Sequence, residues 1–318
     1  MKILFLSSWF PNKLEPTNGN FVQRHAEAVA MKHDVEILHT IGNFDQKEKF
    51  VWDDHIVNGI RTLVIYYKNS KNPIQNFLRR MEAYKLGFAK MQKPDLVHAN
   101  VLHNNMLFAV YLKKKFKIPF VVTEHWTLLR KINHATTSSV TKFVAKFIAN
   151  RAAAILPVSN DLKVSLEELG IKKPMKVIPN VVDTKLFEPS DSAHDDFTFV
   201  HISNLIPRKN ADKILNVAIK LLKEDYKLKL KIGGDGDTHN LRNIVKKEGF
   251  EDQIEVFDTL TLPEVSQKLK DSDCFILFSE DENQPCVIAE SFASGIKVIS
   301  TNVGGISEFF PDNFGILV

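Results

Sequence analysis

Cysteine is scarce: the 318 residues include two, Cys274 and Cys286. Close together in sequence, they cannot staple a chain of this length, which removes the disulfide-scaffold class and fits a reducing compartment. Nowhere do about 18 apolar residues follow one another, so no membrane-spanning helix is expected. The apolar opening at residues 3–6 turns polar at Ser7 and is shorter than a signal-peptide core, which makes the cytoplasm the expected location. Several chemical signatures are missing as well. There is no GxxxxGK[ST] phosphate loop, no GxSxG nucleophile elbow and no GxGxxG fingerprint. His33, His98 and His103 lack partners at metal-ligand spacing, so neither a metal site nor a cofactor is expected.

What is present is ordinary in amount and uneven in distribution. Apolar residues make up 44% and charged residues 25%, which excludes a disordered chain, and the length suits two domains. The net charge is only +4, yet residues 1–190 hold 28 Lys and Arg against 16 Asp and Glu, whereas residues 191–318 hold 14 against 22. Two halves of opposite sign face different partners. In the first half, strand-like apolar runs at 3–6, 35–38, 62–65, 96–98, 120–123 and 154–157 are separated mostly by helical patterns. A polar stretch at 187–197 reads as a linker. A second series follows, with strands near 198–202, 228–232, 254–257, 274–278, 297–300 and 315–318, and helices near 213–223, 241–247, 262–269 and 287–294. This alternation is the pattern of parallel sheets covered on both faces. We expect an α/β chain of two doubly wound, Rossmann-like domains facing a cleft, 1–190 and 191–318. Ending on its last strand, the second domain reads as truncated.

Three segments of the second half could carry chemistry. In 282–290, Pro285 suits a helix start, so Glu282 falls in the loop before it and Glu290 on the helix. Amides near Cys286 and Val287 would then form an anion site, although a solvated Glu282 and a dipole-stabilised Glu290 explain the same residues. In 201–210, Arg208 and Lys209 follow the first strand of the domain, where two cations suit a diphosphate or are simply solvated. Gly233, Gly234 and Gly236 follow the second strand and suit a tight turn. In the first half, a loop containing Gly19 separates the first strand from its helix, and His125 follows an apolar strand, where histidine is usually structural.

Together these pieces resemble GT-B-fold retaining glycosyltransferases of the family 4 type. The resemblance runs from Trp9-Phe10-Pro11 and Gly19-Asn20-Phe21-Val22, through Val158-Ser159-Asn160, residues 177–183 and Gly233-Gly234-Asp235-Gly236, to the Glu282/Glu290 pair and residues 304–308. It implies that Glu290 holds the ribose hydroxyls of a nucleotide-diphosphate sugar, Glu282 hydroxyls of the sugar, and Lys209 the diphosphate. His125 matches the histidine that leans on the sugar near its anomeric carbon, and the Gly19 loop brings amides to the phosphates. The resemblance also implies a metal-independent reaction. The chain departs from the family at Ser203-Asn204, where Gly-Arg is usual, so that Arg208 stands in for the missing cation. It departs again at Asn20 and Pro285, where glycine is usual.

A glycoside hydrolase, a nucleotide-sugar epimerase of similar architecture and a non-catalytic sugar-nucleotide module are the competing readings. The diphosphate-type cations favour transfer to a sugar or lipid-linked acceptor. Arg79, Arg80, Lys85, Lys90 and Lys93, read as one helical stretch with Phe77, Leu78 and Phe88, together with Lys113, Lys114, Lys115 and Lys117, suit an anionic membrane surface. Nucleic acid is not an expected partner, because no recognition motif accompanies the charge.

Overall fold

A computed structural model of the chain describes residues 1–189 and 196–318. Two compact units emerge, Met1–Val181 and Val182–Val318. The boundary expected after residue 190 lies outside the described residues. Residues 182–189 already belong to the second unit, because Leu186 and Phe187 pack into its core and Ser266 Oγ donates to the Leu186 carbonyl at 2.7 Å.

The first unit runs β1 (Lys2–Ser7), α1 (Asn20–Ala30), β2 (Asp34–Asn43), β3 (Phe50–Val57), β4 (Ile60–Lys68), α2 (Pro73–Phe88) and β5 (Leu96–Asn100). It continues through α3 (Leu107–Phe116), β6 (Phe120–Glu124), α4 (Ser139–Ala149), β7 (Ile155–Pro157) and α5 (Asn160–Glu168). Its sheet has the order β3-β4-β2-β1-β5-β6-β7. Along β1 the side chains alternate between two buried faces. Ile3 and Phe5 pack with Val22 and Ala26 of α1, while Leu4 and Leu6 pack with residues of α2, α3 and α4. A strand buried on both sides must be apolar throughout, which is why residues 3–6 read as a continuous run.

The sheet is not wholly parallel. β3 pairs antiparallel with β4 through a turn at Asn58-Gly59, both with positive φ. This strand is absent from the sequence-based expectation. Its residues are mostly exposed at the sheet edge, so no apolar run announces it.

The second unit runs β8 (Thr198–Ser203), α6 (Ala211–Lys223), β9 (Lys229–Gly234), α7 (His239–Glu248), β10 (Ile254–Phe257) and α8 (Leu262–Lys270). β11 (Cys274–Leu277), α9 (Cys286–Ala293), β12 (Lys297–Ser300) and β13 (Gly315–Leu317) complete it. All its strands pair in parallel, in the order β10-β9-β8-β11-β12-β13, the doubly wound arrangement expected. Helix starts follow local chemistry: Asn72 Oδ1 accepts from Ile74 and Gln75, and Thr261 with Glu264 forms a capping box ahead of α8.

Phe275 of β11 is fully buried between β8 and β12 and stacks at 6.5 Å on the imidazole of His201. Phe275→Ala is expected to cost about 3–5 kcal/mol, whereas Ile56→Ala at the exposed β3 edge should stay within about 0.5 kcal/mol. Urea unfolding followed by far-ultraviolet circular dichroism compares the two.

Candidate active site

In a doubly wound sheet the ligand crevice opens where neighbouring strands send their connections to opposite sides. In the second unit that point lies between β8 and β11. The loop after β8, residues 204–210, leads to β9 on one side, and the loop after β11, residues 278–285, leads to β12 on the other. Lys209 and Glu282 sit in these two loops. The Lys209 ammonium donates to Glu282 Oε1, and Ser279 Oγ donates to the same oxygen at 2.7 Å. Both side chains are largely buried, 12% and 8% exposed, so this is an ion pair sheltered from water.

The loops are laced together beyond that pair. Asn210 Nδ2 donates to the Phe278 carbonyl at 2.9 Å, the Glu280 amide donates to the Arg208 carbonyl at 3.0 Å, and Thr301 Oγ1 donates to the Ser279 carbonyl at 2.6 Å. Arg208 lies 3.8 Å from Asp281, across the same gap. Leu205 and Asn210 both take left-handed backbone conformations, φ 49° and 50°, on either side of the Pro207–Lys209 turn. Strain of this kind, about 1–3 kcal/mol per residue, persists only where surrounding contacts enforce it. The glycines that end β9 pack against the end of β8. A Cβ at Gly234, where φ is 134°, would stand 1.9 Å from the Ser203 carbonyl oxygen, so this segment is a tight packing turn.

Helix α9 starts directly after Pro285, with no side chain capping it. Cys286 and Val287 are partly exposed in its first turn, where backbone amides point out of the helix end. Glu290 lies a turn further on and is 2% exposed, deeper than a carboxylate at the surface of a crevice. Asn204 is exposed on the loop after β8.

The first unit has its own cluster at the carboxyl edge of its sheet. His125 follows β6, and its ring lies 4.4 Å from that of Phe21 and 5.3 Å from that of His25, both on α1. His125 keeps some exposure, yet both ring nitrogens are shielded from water, and burial holds the imidazole well below its ordinary pKa. Asn180 Oδ1 lies 3.3 Å from His25 Nε2, and its side chain also bonds to His125. Gly19 precedes α1 with φ 73°, and a Cβ there would stand 2.3 Å from the backbone of Trp9. Close contact with Trp9 therefore demands the glycine.

Sequence reasoning missed Glu124, which is completely buried. Its carboxylate accepts from the Leu102 amide at 2.6 Å, the His125 amide at 2.9 Å and the Trp126 amide at 2.7 Å. It thereby ties the loop after β5 to the loop after β6. The loop after β5 begins at Val101, a β-branched residue with φ 71°. An acid closing an apolar strand in Thr123-Glu124-His125 was the available signal. His25 and Asn180 were missed as partners of His125 because their contacts are distant in sequence.

The basic stretch is arranged differently from the expectation. α2 ends at Phe88, leaving Lys90 and Lys93 beyond the helix, and Phe88 packs against the core. Arg80 turns inward, donating to the Tyr67 hydroxyl at 2.9 Å and to Asn104 and Asn105. Lys85 and Lys90 lie over the rings of Tyr111 and Trp52.

Two doubly wound units in one chain are the architecture of GT-B-fold glycosyltransferases. Sucrose-phosphate synthase from Thermosynechococcus elongatus has a similar fold, with a TM-score of 0.76 at 16% identity over 100% of this chain and 86% of that one. The sequence profile described as Glycosyltransferase Family 4 matches residues 19–186, and that of Glycosyl transferases group 1 matches residues 182–318. The chain belongs to glycosyltransferase family 4. A phosphatidylinositol N-acetylglucosaminyltransferase subunit from Arabidopsis thaliana is 32% identical over 149 residues, 45% of this chain and 33% of its own. Alpha-monoglucosyldiacylglycerol synthase of Streptococcus pneumoniae is 24% identical over 272 residues, 77% of this chain and 62% of its own. The match therefore spans from a third to under two thirds of these relatives' length.

The buried histidines set a pH limit on the fold. Burial pushes His98 down to about 3 and His39, His103 and His201 to about 4, and lowers His25 and His125 as well. A group depressed in the folded state stabilises fully above its unfolded value, near 6.5, and loses that contribution as pH falls toward the folded value. Each histidine still neutral costs about 1.4 kcal/mol per pH unit in that window. Glu124, pushed up to about 7 by burial, runs the other way, its contribution present below about 4.5 and lost as pH rises through 7. Six imidazoles outweigh one carboxyl. The urea concentration at half-unfolding is expected to fall steeply between pH 6.5 and 4.5; a flat midpoint would contradict neutral burial.

Proposed function

We propose that the chain is a retaining glycosyltransferase that moves a sugar from a nucleoside-diphosphate donor to a lipid-linked acceptor, in glycolipid or cell-surface polysaccharide assembly. The observation that carries this reading is the Lys209–Glu282 pair at the switch point between β8 and β11. A lipid-linked acceptor is supported by the relatives, whose names contain phosphatidylinositol and diacylglycerol.

In the proposed reaction an acceptor hydroxyl attacks the anomeric carbon from the face that the leaving group vacates. The bond from that carbon to the diphosphate oxygen breaks, and its electron pair leaves with the diphosphate. The acceptor's proton passes to the departing phosphate. Negative charge grows on the leaving group, so groups aimed at it beforehand lower the barrier, typically by a few kcal/mol each. Lys209, Arg208 and the first amides of α9, at Cys286 and Val287, are the proposed partners of that charge. Glu282 would accept from sugar hydroxyls and Glu290 from the ribose hydroxyls, while Asn204 lines the loop. His125 would meet substrate as a neutral ring, and the Gly19 loop would present the amides of α1 to an anionic group. In this scheme protein cations neutralise the diphosphate, and no divalent metal takes part.

The test is a panel of UDP-, GDP-, ADP- and dTDP-sugars, read by thermal shift and by nucleotide release with lipid acceptors. Glu290→Ala should weaken nucleoside diphosphate binding by roughly 1.5–3 kcal/mol. Glu282→Ala should spare the free nucleotide and impair the sugar-bearing donor. Lys209→Ala should slow turnover more than it weakens nucleoside monophosphate binding. EDTA should leave the rate unchanged. Equal losses for both ligands in both glutamate variants, strict dependence on Mg²⁺ or Mn²⁺, or an isomerised sugar nucleotide formed without acceptor would each overturn part of this reading.

A further inference from the structure

The backbone ladder between β8 and β11 is short. It pairs Phe199 with Cys274 and Val200 with Phe275 and goes no further, whereas on its other side β8 stays paired with β9 as far as Ser203 and Gly234. β8 and β11 therefore part where the crevice opens. The next step in their register would set His201 opposite Ile276, and there a side chain takes over from the backbone. His201 Nδ1 lies 2.8 Å from the Ile276 carbonyl oxygen.

The direction of the hydrogen bonds follows from that contact. A carbonyl oxygen only accepts, so Nδ1 carries the ring proton and Nε2 of the neutral imidazole is an acceptor. Ser203 Oγ lies 2.9 Å from Nε2, and the Leu205 amide donates to the same Oγ at 3.1 Å. The serine hydroxyl thus donates to the ring and accepts from the amide. One directed chain results, from the Leu205 amide through Ser203 and His201 to the Ile276 carbonyl. Burial of the ring pushes its pKa down to about 4; the Ile276 carbonyl and Glu282 oppose this and Lys209 adds to it. A second ring proton would turn Nε2 into a donor and break the chain.

The ends of this chain are the roots of the two loops that meet at the crevice. Leu205 opens the loop carrying Arg208 and Lys209 and holds φ 49°, an uncommon conformation for leucine. Ile276 lies in the strand that leads to Ser279 and Glu282. Ser203 is also fixed from β9, because the Asp235 amide donates to its carbonyl at 3.0 Å. An apolar side chain at 201 would fill the same space, but it would leave the two roots unlinked.

We propose that His201 and Ser203 are positioning residues for the diphosphate site, an Nδ1–H imidazole and a hydroxyl that set the spacing between the Lys209 and Glu282 loops. Neither touches the donor in this scheme; both act through Lys209. The part played in turnover rests on the transferase reading, while the tautomer and the loop restraint do not.

Nitrogen-15 NMR of the histidine-labelled chain reads the tautomer. The signals lost in His201→Asn should be those of a protonated Nδ1 and a bare Nε2; a proton on Nε2 would overturn the proposal. Ser203→Ala removes the link and keeps the ring. Without ligand, its hydrogen–deuterium exchange at residues 204–210 and 278–285 should quicken, and Ser203→Thr, which keeps the hydroxyl, should restore it. Donor turnover in Ser203→Ala should fall roughly threefold to tenfold, the scale of a lost hydrogen bond, with nucleoside monophosphate binding within about twofold of wild type. In a Lys209→Ala background the same change should add little, because the restraint acts through that lysine. Val245→Ala, a change in the core on α7, should lower the urea midpoint and leave turnover and loop exchange as they were. Unchanged loop exchange in Ser203→Ala, an equal turnover loss in Val245→Ala, or full additivity with Lys209→Ala would overturn the proposal. If no nucleotide sugar is turned over, the transferase reading fails, and the tautomer and the ligand-free exchange still decide the loop restraint.

Discussion

The second unit is organised around one buried interaction, the Lys209–Glu282 pair across the switch point of its sheet. Removing two charges from water costs several kcal/mol for each, and their mutual attraction offsets that only when further hydrogen bonds satisfy them. Here Ser279 supplies one such bond, and the Asn210, Arg208 and Thr301 contacts keep the loops at the distance the pair needs. A purely structural solution would put apolar side chains in this place. Retaining a cation and a carboxylate there makes sense when an anionic, hydroxyl-rich ligand shares them: phosphate oxygens give the ammonium a second partner, and hydroxyl donors give the carboxylate one. The left-handed Leu205 and Asn210 show that the backbone, too, is held away from its preferred state to keep this geometry.

The first unit solves a different problem with the same topology. Its carboxyl edge gathers imidazoles and indoles instead of opposite charges. Glu124 spends its lone pairs on three backbone amides, so it orders two loops and leaves His125 and Trp126 fixed relative to the sheet. Because burial keeps the imidazoles neutral, they serve as hydrogen-bonding and packing groups. The charge of this unit is displayed elsewhere, along the helices outside the sheet.

Much of this was legible in the sequence because parallel strands buried on both faces must be apolar runs, and helices between them must be amphipathic. Residues 254–257 and 297–300 became strands with the expected bounds. The strand at Phe50–Val57 was not read, since an edge strand facing water shows no run, although Asn58-Gly59 marked its turn. Glu282 and Lys209 were each picked out, but their direct contact was hidden by the 73 positions that separate them. Glu124 escaped notice for another reason: an acid at a strand end looks solvated until the amides around it are known. The helix expected through residue 93 stops at Phe88, and its cations are largely engaged by nearby rings, hydroxyls and amides, which charge counting cannot reveal.

The central claim is that the loops after β8 and β11, with the start of α9, form the binding site for the diphosphate of a sugar donor. Hydrogen–deuterium exchange of the full chain, with and without the nucleoside diphosphate that gives the largest thermal shift, tests it directly. Slower exchange is expected at residues 204–210 and 278–288 together, with loss of that protection in Lys209→Ala. Protection confined to other segments, or unchanged protection in Lys209→Ala, would contradict it.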